Sequence, residues 1–300
     1  MKIGLGTAQF GMEYGISNKT GKVFEKEVEK ILNFAFEQKV DTIDTAYHYG
    51  SSELVIGKYL NKYGSGFKVV TKTVKFESEI TVKSASLLQK SFYESLKRLK
   101  IDSVYGLMIH NVDDLLKKNS SLLFDKMLEL KNMGLVKKIG ISVYTPSQLI
   151  QIFSKYNLDL VQLPLNVLDQ RFLGEDIFHF LKQKNVEIHA RSVFLQGLLL
   201  MQLEYIPKYF NIIRHVLDDY HKFLSLNKLS LLDGALGFVS KISDVDKLII
   251  GTCSEEQLRQ IIDVVKKNNN CDSENTSTKE FKQFACRDER FINPANWNIV

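Results

Sequence analysis

The sequence lacks the features that mark disulfide-rich, membrane and nucleic-acid-binding proteins. Its three cysteines, Cys253, Cys271 and Cys286, are odd in number and lack metal-ligand spacing, which favours reduced thiols in a cytoplasmic protein with no metal site. No apolar run reaches the roughly 18 residues of a membrane span. The first residues, MKIGLGTAQFG, show no charged leader followed by an apolar segment, so we expect no signal peptide. Lys and Arg do not form blocks and the net charge is only +5, so neither a nucleic acid nor a membrane is an expected partner.

What the chain does contain is a regular alternation of short apolar runs and longer segments of helical period. The predicted strands are Ile3–Gly6, Thr42–Thr45, Lys68–Lys72, Val104–His110, Val136–Ile141, Leu158–Leu163, Val186–Ala190 and Lys247–Gly251. Amphipathic helices are predicted between them, for example over Glu25–Gln38, Ser84–Lys97, Leu122–Asn132 and Glu255–Lys266.

This alternation predicts an α/β fold, because neighbouring parallel strands need a crossover connection. Eight repeats in 300 residues favour a closed (β/α)8 TIM barrel, and we expect one domain over residues 1–300. An open doubly wound sheet that binds a dinucleotide is the alternative, but no G-x-G-x-x-G opens a helix in this sequence.

Two segments interrupt the alternation. Residues 196–227 form a predicted rim insertion between the seventh and eighth strands. Residues 267–279 are polar, with an Asn run and several Ser and Thr, and predict a linker. The tail after the linker, up to residue 300, regains aromatic residues and should pack back on the barrel.

Polar residues stand at the ends of three consecutive predicted strands. Asp44 is at the end of the second, Lys72 ends the third and His110 ends the fourth, while Tyr49 follows Asp44 in AYHYG. Because active sites of such barrels lie at the carboxyl ends of the strands, these four side chains should meet at one rim.

Such a set suits proton transfer to a carbonyl oxygen. A tyrosine has an unperturbed pKa of about 10, and a nearby lysine cation would lower it. Asp44 would keep Lys72 charged, His110 would orient the substrate oxygen, and Tyr49 would be the general acid. Each residue alone would more often be structural, as a helix cap, a rim aromatic, a solvated charge or a core histidine. The four in consecutive motifs favour catalysis.

The segment DTAYHYGSSELVIG, from Asp44 to Gly57, resembles the signature of the aldo-keto reductases. Lys72 in VVTKT and His110 in LMIHN match the lysine and histidine motifs of that family, and the similarity extends from GLGTAQFG to GTCSEEQL. The resemblance implies a barrel oxidoreductase in which Asp44, Tyr49, Lys72 and His110 are catalytic.

The resemblance also implies a nicotinamide dinucleotide cofactor. Gln162 and Asn166 in VQLPLN match a motif whose glutamine binds the carboxamide, and Arg191 replaces an aromatic residue that commonly stacks on the nicotinamide. A planar guanidinium can also stack on a ring. The implied cofactor contacts are Gly6, Thr7, Ser142, Gln162, Arg191, Ser192, Gln196, Gly197, Gly251, Thr252, Ser254 and Gln257.

The resemblance implies NADPH as the cofactor, because the family favours it over NADH. A lysine and an arginine that often bind the 2′-phosphate of NADPH align with Gly251 and Gln257 here, which leaves room for NADH. Backbone N–H groups at the start of the helix near Glu255 would suit a phosphate.

We therefore expect an NAD(P)H-dependent reductase of a small-molecule carbonyl compound. His48 and Asn111 are predicted to line the substrate pocket, and such polar rim residues allow a sugar or a sugar-derived carbonyl. A nicotinamide-binding regulatory or redox-sensing protein with little turnover is the main alternative. A Schiff-base isomerase or aldolase using Lys72 is a second one.

Overall fold

The computed structural model describes residues 2–64, 66–77, 79–174, 176–270 and 278–299. In them, eight parallel strands pair in chain order and the eighth pairs with the first, which closes a (β/α)8 barrel. The strands are β1 (Ile3–Gly6), β2 (Thr42–Asp44), β3 (Lys68–Lys72), β4 (Val104–Ile109), β5 (Val136–Ser142), β6 (Leu160–Pro164), β7 (Glu187–Arg191) and β8 (Lys247–Gly251). The predicted fold class and order of strands are confirmed, with bounds that shift by at most two residues.

Helices connect the strands along the outside of the barrel. They are α1 (Ala8–Gly11), α2 (Glu25–Glu37), α3 (Ser52–Tyr63), α4 (Val82–Leu99), α5 (Ser121–Asn132), α6 (Pro146–Phe153), α7 (Ile177–Gln183), α8 (Arg214–Leu226), α9 (Leu231–Ser240), α10 (Glu255–Asn270) and α11 (Glu289–Ile292). Local sequence sets several of their starts, since Thr81, Thr145 and Ser230 form capping boxes at α4, α6 and α9.

The alternation of side chains along each strand places the core and the site. Ile43 and Val69 belong to the large apolar cluster that includes the helices, whereas Val70, Met108 and Leu160 form a small separate cluster. Side chains that alternate with the outer set must point towards the barrel axis. Asp44 and Lys72 therefore share the inner face of the barrel with Val70, and the register pairs Asp44 with Gly6 of β1.

The segment between β7 and β8 is built differently from a simple crossover. Short 3-10 turns over Leu195–Leu200, Leu203–Tyr205 and Lys208–Ile213 precede α8, and α9 then leads back to β8. The predicted rim insertion, residues 196–227, thus covers these turns together with α8.

The polar stretch predicted as a linker over residues 267–279 is partly helical, which corrects that prediction. Residues 267–270 continue α10. The amphipathic pattern ends near Lys266, but the helix itself extends four residues further. Residues 271–277, including Cys271, lie outside the described part, and a 3-10 segment follows over Thr278–Phe284.

The C-terminal tail packs on the barrel through aromatic rings. Phe281 and Phe284 are buried against Phe223 of α8, and Cys286 N donates a hydrogen bond of 2.8 Å to Leu168 O.

Candidate active site

Asp44 and Lys72 form a buried ion pair at the carboxyl ends of β2 and β3. Lys72 Nζ lies 2.5 Å from Asp44 Oδ1, and the two side chains are 1% and 4% exposed. Lys72 Nζ also donates to Thr45 O at 2.9 Å. Gln162, from the opposite side of the barrel, donates to Asp44 Oδ2 at 2.8 Å. Both oxygens of this carboxylate are thus bonded, which fixes its position.

Tyr49 lies above this pair. Lys72 Nζ is 5.0 Å from the centre of the Tyr49 ring. The His110 ring is 5.8 Å from it, at an angle of 84° between ring planes. The structure therefore brings together all four residues that the sequence predicted to be catalytic.

The backbone around Tyr49 is held by two glycines. A Cβ atom on Gly11 would lie 1.7 Å from Tyr49 O, so only glycine fits at this contact. Gly50 adopts a φ of +54° and packs against Gly11 O. Ser52, two residues after Gly50, donates from its Oγ to Thr7 O at 2.9 Å. The loop carrying Tyr49 is thereby tied to the end of β1.

Burial dominates the proton affinities of these groups. Desolvation, followed by the negative charge of Asp44, raises the pKa of Tyr49 well above its usual value, and Arg191 acts in the opposite direction. Desolvation lowers the pKa of Lys72 against the attraction of Asp44. It also lowers the pKa of His110 to about 3, with the Lys72 charge as the next cause. The imidazole of His110 is therefore neutral near pH 7.

The expected lowering of the Tyr49 pKa by Lys72 is not found in this structure. The Lys72 ammonium faces the ring of Tyr49, and it donates hydrogen bonds to Asp44 and Thr45. The cation that lowers the pKa of Tyr49 is Arg191.

These residues open into a cavity of about 1220 Å³ at the carboxyl ends of the strands. Ligand pockets are typically about 300–1,000 Å³, so the space accommodates a dinucleotide together with a small substrate. The predicted residues that line it are Asp44, Tyr49 and His110 of the catalytic set, and Gly6, Thr7, Ser142, Gln162, Arg191, Ser192, Gln196, Gly197, Gly251, Thr252 and Gln257 of the cofactor set.

Four predicted site residues do not line this cavity. Lys72 is buried beneath its floor, paired with Asp44. Ser254 instead caps α10, its Oγ accepting from Gln257 N at 3.2 Å.

His48 and Asn111, predicted to line the substrate pocket, lie outside it. His48 is exposed, and its Nε2 accepts from Lys75 N at 3.3 Å. The amide of Asn111 donates to Asp114 Oδ1 at 3.2 Å. Their side chains follow the local loop, which the sequence pattern did not reveal.

Sequence reasoning missed two tyrosines, Tyr14 and Tyr144, that line the cavity. The Arg191 guanidinium lies 4.3 Å from the centre of the Tyr144 ring and donates to Val143 O at 3.0 Å. The position of Tyr144, two residues after β5 ends at Ser142, was the available signal. The Arg191 guanidinium, which was predicted to stack on the nicotinamide, thus also contacts the ring of Tyr144.

The loop after β7 meets the loop after β1 across the cavity. Ser192, Leu195 and Gln196 have φ values of 58°, 48° and 53°, a conformation that non-glycine residues adopt at a cost. Ile16 N donates to Gln196 O at 3.0 Å. A Cβ on Gly197 would lie 1.8 Å from Ser17 Oγ, so the two loops approach closely only with glycine here.

The turn between β8 and α10 closes the far end of the cavity. Gln257 Oε1 accepts from Cys253 N at 2.8 Å and from Thr252 Oγ1 at 3.2 Å. Glu255 N donates to Glu27 Oε1 of α2 at 2.9 Å. Two of the N–H groups around the helix start expected to bind a phosphate, those of Cys253 and Glu255, therefore already have partners within the chain.

The tail contributes Pro294 and Ala295 to the wall of the cavity. Trp297 anchors the tail to the barrel. Its Nε1 donates to Phe291 O at 3.1 Å and its ring packs edge-on against Phe210.

Among the residues that the structure describes, no group of three or more His, Cys, Asp or Glu is placed to hold a metal ion. No described helix is both long enough and apolar enough to cross a bilayer.

Known proteins resemble this chain in sequence and in fold. The aldo-keto reductase YhdN of Bacillus subtilis is 27% identical over 205 residues, which cover 66% of this chain and 60% of that protein. The D-arabinose 1-dehydrogenase of Saccharomyces cerevisiae is 24% identical over 266 residues, covering 81% and 78%. An aldo-keto reductase from Bacillus halodurans in its holo form superimposes with a TM-score of 0.73 at 19% identity, covering 94% and 90%.

The match to a family model extends over nearly the whole chain. The model of the aldo/keto reductase family aligns with residues 2–281, from the start of the barrel into the tail. This range includes the ion pair, the tyrosine and the histidine described above. The chain belongs to the aldo/keto reductase family.

Proposed function

We propose that this protein reduces an aldehyde or ketone to an alcohol with NADH or NADPH, and that Tyr49 supplies the proton. The observation that carries the proposal is the convergence of Asp44, Lys72, Tyr49 and His110 at one end of the cavity. The family supports an oxidoreductase, and the geometry supports the individual roles.

The cavity fits a nicotinamide dinucleotide. It runs from the catalytic residues, past the loop after β7, to the turn before α10. Ser142 and Gln162 are paired in register on β5 and β6 and would hold the nicotinamide amide, while Gly6 leaves room beside Ile249 where a larger residue would intrude. When bound, the reduced nicotinamide supplies a hydride to the carbonyl carbon.

Tyr49 is suited to act as the acid in this reaction. Because burial raises its pKa, the phenol is protonated at neutral pH and has a proton to give. As the carbonyl carbon gains the hydride, the C=O double bond becomes a single bond and the oxygen takes the phenol proton. The tyrosinate left behind is stabilised by the Arg191 charge and is reprotonated from water.

His110 would orient the substrate. Its neutral imidazole keeps one N–H to donate to the carbonyl oxygen, since the lowered pKa prevents protonation of the ring near pH 7. Lys72 and Asp44 act from below, as positioning residues for Tyr49.

The burial of Lys72 argues against the Schiff-base alternative. Its side chain is 1% exposed and does not line the cavity, and its amine is bonded to Asp44 and Thr45. A carbonyl substrate cannot reach it without breaking the ion pair. A measurement of turnover distinguishes the regulatory alternative from the proposed reductase.

We propose a sugar or sugar-derived carbonyl compound as the substrate. The yeast relative named D-arabinose 1-dehydrogenase acts on an aldose by its name. The catalytic end of the cavity offers hydroxyl and guanidinium donors from Tyr14, Tyr144 and Arg191, which suit a hydroxylated substrate.

The test is a Tyr49→Phe variant assayed by oxidation of NADH and NADPH against a panel of aldehydes, ketones and sugars. Loss of a positioned general acid lowers turnover by about 10²- to 10⁴-fold, whereas nucleotide binding should persist. Unchanged turnover in Tyr49→Phe would refute the assigned role. Tight nucleotide binding by the unaltered protein with negligible turnover on every compound would favour the regulatory alternative.

A further inference from the structure

The end of the cavity beside α10 is the place where NADH and NADPH would differ. On the proposed function, the catalytic residues would hold the nicotinamide at the opposite end of the cavity, so a bound dinucleotide would extend its adenosine half towards this turn. NADPH carries one phosphate more than NADH, and a phosphate monoester adds about 1.5–2 negative charges near neutral pH. Charges and hydrogen-bond donors at the turn therefore decide between the two nucleotides.

The wall of the cavity at this turn is neutral. It consists of Gly251, Thr252, Cys253, Gln257 and Gln260. Among the described residues that line the cavity, Lys19 and Arg191 are the ones with a Lys or Arg charge. Arg191 belongs to the catalytic end, and Lys19 lies on the loop after β1, with its Nζ 5.4 Å from the centre of the Tyr205 ring.

Three backbone N–H groups at the turn, those of Cys253, Glu255 and Gln257, are bonded within the chain. Gln257 Oε1 accepts from Cys253 N at 2.8 Å, and Ser254 Oγ accepts from Gln257 N at 3.2 Å. Glu255 N, at the first position of α10, donates to Glu27 Oε1 at 2.9 Å. An anion at this helix start would have to displace a carboxylate of the chain.

The charge around the helix start is also unfavourable for a phosphate. Glu27 is ionised at neutral pH, since the hydrogen bond from Glu255 N lowers its pKa. Glu255 and Glu256 add two carboxylates in the first turn of α10. Two cations are paired with these carboxylates, Lys30 with Glu27 at 3.1 Å and Arg259 with Glu255 at 2.6 Å.

We propose, building on the function proposed above, that this turn selects NADH over NADPH, with Glu27 as the residue that discriminates against the 2′-phosphate. Glu27 acts in two ways: it occupies the N–H group that would bind the phosphate, and its charge repels it. Gln257 contributes by closing the turn with a neutral side chain. The positive charge of Lys19 would serve the pyrophosphate that both nucleotides share.

The experiment measures dissociation constants of NADH and NADPH for the purified full chain, from the change in nucleotide fluorescence on binding. At low salt we expect NADPH to bind at least about tenfold more weakly, and the difference to shrink in about 0.5 M salt, because a shorter Debye length screens like-charge repulsion. Glu27→Gln keeps an oxygen that can accept from Glu255 N but removes the charge. It should tighten NADPH binding by about threefold to tenfold and change NADH binding by less than about twofold.

Two further variants serve as controls. Glu29→Gln, on the same helix but paired with Lys62 and Tyr63, should change neither dissociation constant. Lys19→Gln should weaken both nucleotides by a similar factor. Circular dichroism and thermal unfolding check that each variant is folded.

The outcomes separate this inference from the proposed function. Equal or tighter binding of NADPH by the unaltered chain overturns the inference, as does a Glu27→Gln variant with an unchanged ratio. A Lys19→Gln variant that loses only NADPH overturns it too, because Lys19 would then bind the 2′-phosphate. Failure of both nucleotides to bind contradicts the proposed function itself.

Discussion

The buried ion pair beneath Tyr49 gives a prediction whose magnitude follows from the structure. Lys72→Met removes the ammonium that lies 2.5 Å from Asp44 Oδ1, in a place where both side chains are almost fully buried. Leaving one member of such a pair unpaired costs about 3–5 kcal/mol of unfolding free energy. Because Gln162 still donates to Asp44 Oδ2 at 2.8 Å, we expect about 3 kcal/mol, the lower end of that range.

The double variant Lys72→Met with Asp44→Asn tests the reasoning. It removes the carboxylate charge along with the ammonium, so the penalty for an unpaired buried charge disappears. We expect the double variant to recover at least about 1.5 kcal/mol relative to Lys72→Met alone. Both proteins should be inactive as reductases, so the comparison concerns stability alone.

The assay is reversible urea unfolding followed by far-UV circular dichroism. Lys58→Met is the matched control, because Lys58 and Glu25 form an ion pair of similar distance, 2.7 Å, with side chains 61% and 59% exposed. Solvent screens that pair, so its loss should leave stability nearly unchanged. The reasoning is refuted if Lys72→Met is no less stable than this control, or if the double variant is as unstable as the single one.

Three other predictions concern catalysis. His110 has a pKa of about 3 and the pKa of Tyr49 is raised, so neither group titrates between about pH 5 and 9. We therefore expect kcat/KM for reduction to be independent of pH in this range. A change of kcat/KM near pH 6.5 that disappears in the His110→Ala variant would contradict the neutral imidazole. In the direction of alcohol oxidation Tyr49 must lose its proton, so we expect the rate to rise with pH. Arg191→Met should move this rise to higher pH, because Arg191 lowers the pKa of Tyr49. A shift to lower pH would count against this role of Arg191. Gly11→Ala, whose Cβ would lie 1.7 Å from Tyr49 O, should lower kcat/KM at least about tenfold by displacing Tyr49. Gly237→Ala is the control: a Cβ atom there would have nothing within 4 Å, so the variant should keep full activity and be more stable by up to about 1 kcal/mol. Equal activity of Gly11→Ala and Gly237→Ala would disprove the role of the Gly11 contact.

Residues in the loops that follow the strands show where sequence patterns stop predicting the direction of a side chain. His48 and Asn111 follow strand ends just as Tyr49 and His110 do, yet their side chains bond to Lys75 and Asp114 outside the cavity. A loop residue has no repeating pattern that fixes its direction, so its position depends on contacts with other segments. Tyr14 and Tyr144 reach the cavity for the same reason.

The electrostatics of the site also depended on tertiary contacts. The sequence suggested that a lysine near Tyr49 would lower the pKa of its phenol. In the folded chain Lys72 lies over the face of the ring, and the burial of Tyr49 raises its pKa instead. Desolvation is a property of the whole surroundings of a group, and no motif encodes it.

The sequence by itself determined the barrel and the rim on which the proposed catalytic residues meet. Short apolar runs separated by amphipathic helices leave few ways to bury both faces of the strands, and a residue at the end of a parallel strand has a fixed edge of the sheet to occupy. Asp44, Lys72 and His110 could therefore be placed from their positions alone. The tertiary structure decided what no local rule contains. The bond between Gln162 and Asp44 joins residues 118 positions apart, and that between Glu255 and Glu27 joins residues 228 positions apart. Such contacts exist only once the barrel has closed, because closure brings β1 beside β8 and α2 beside α10.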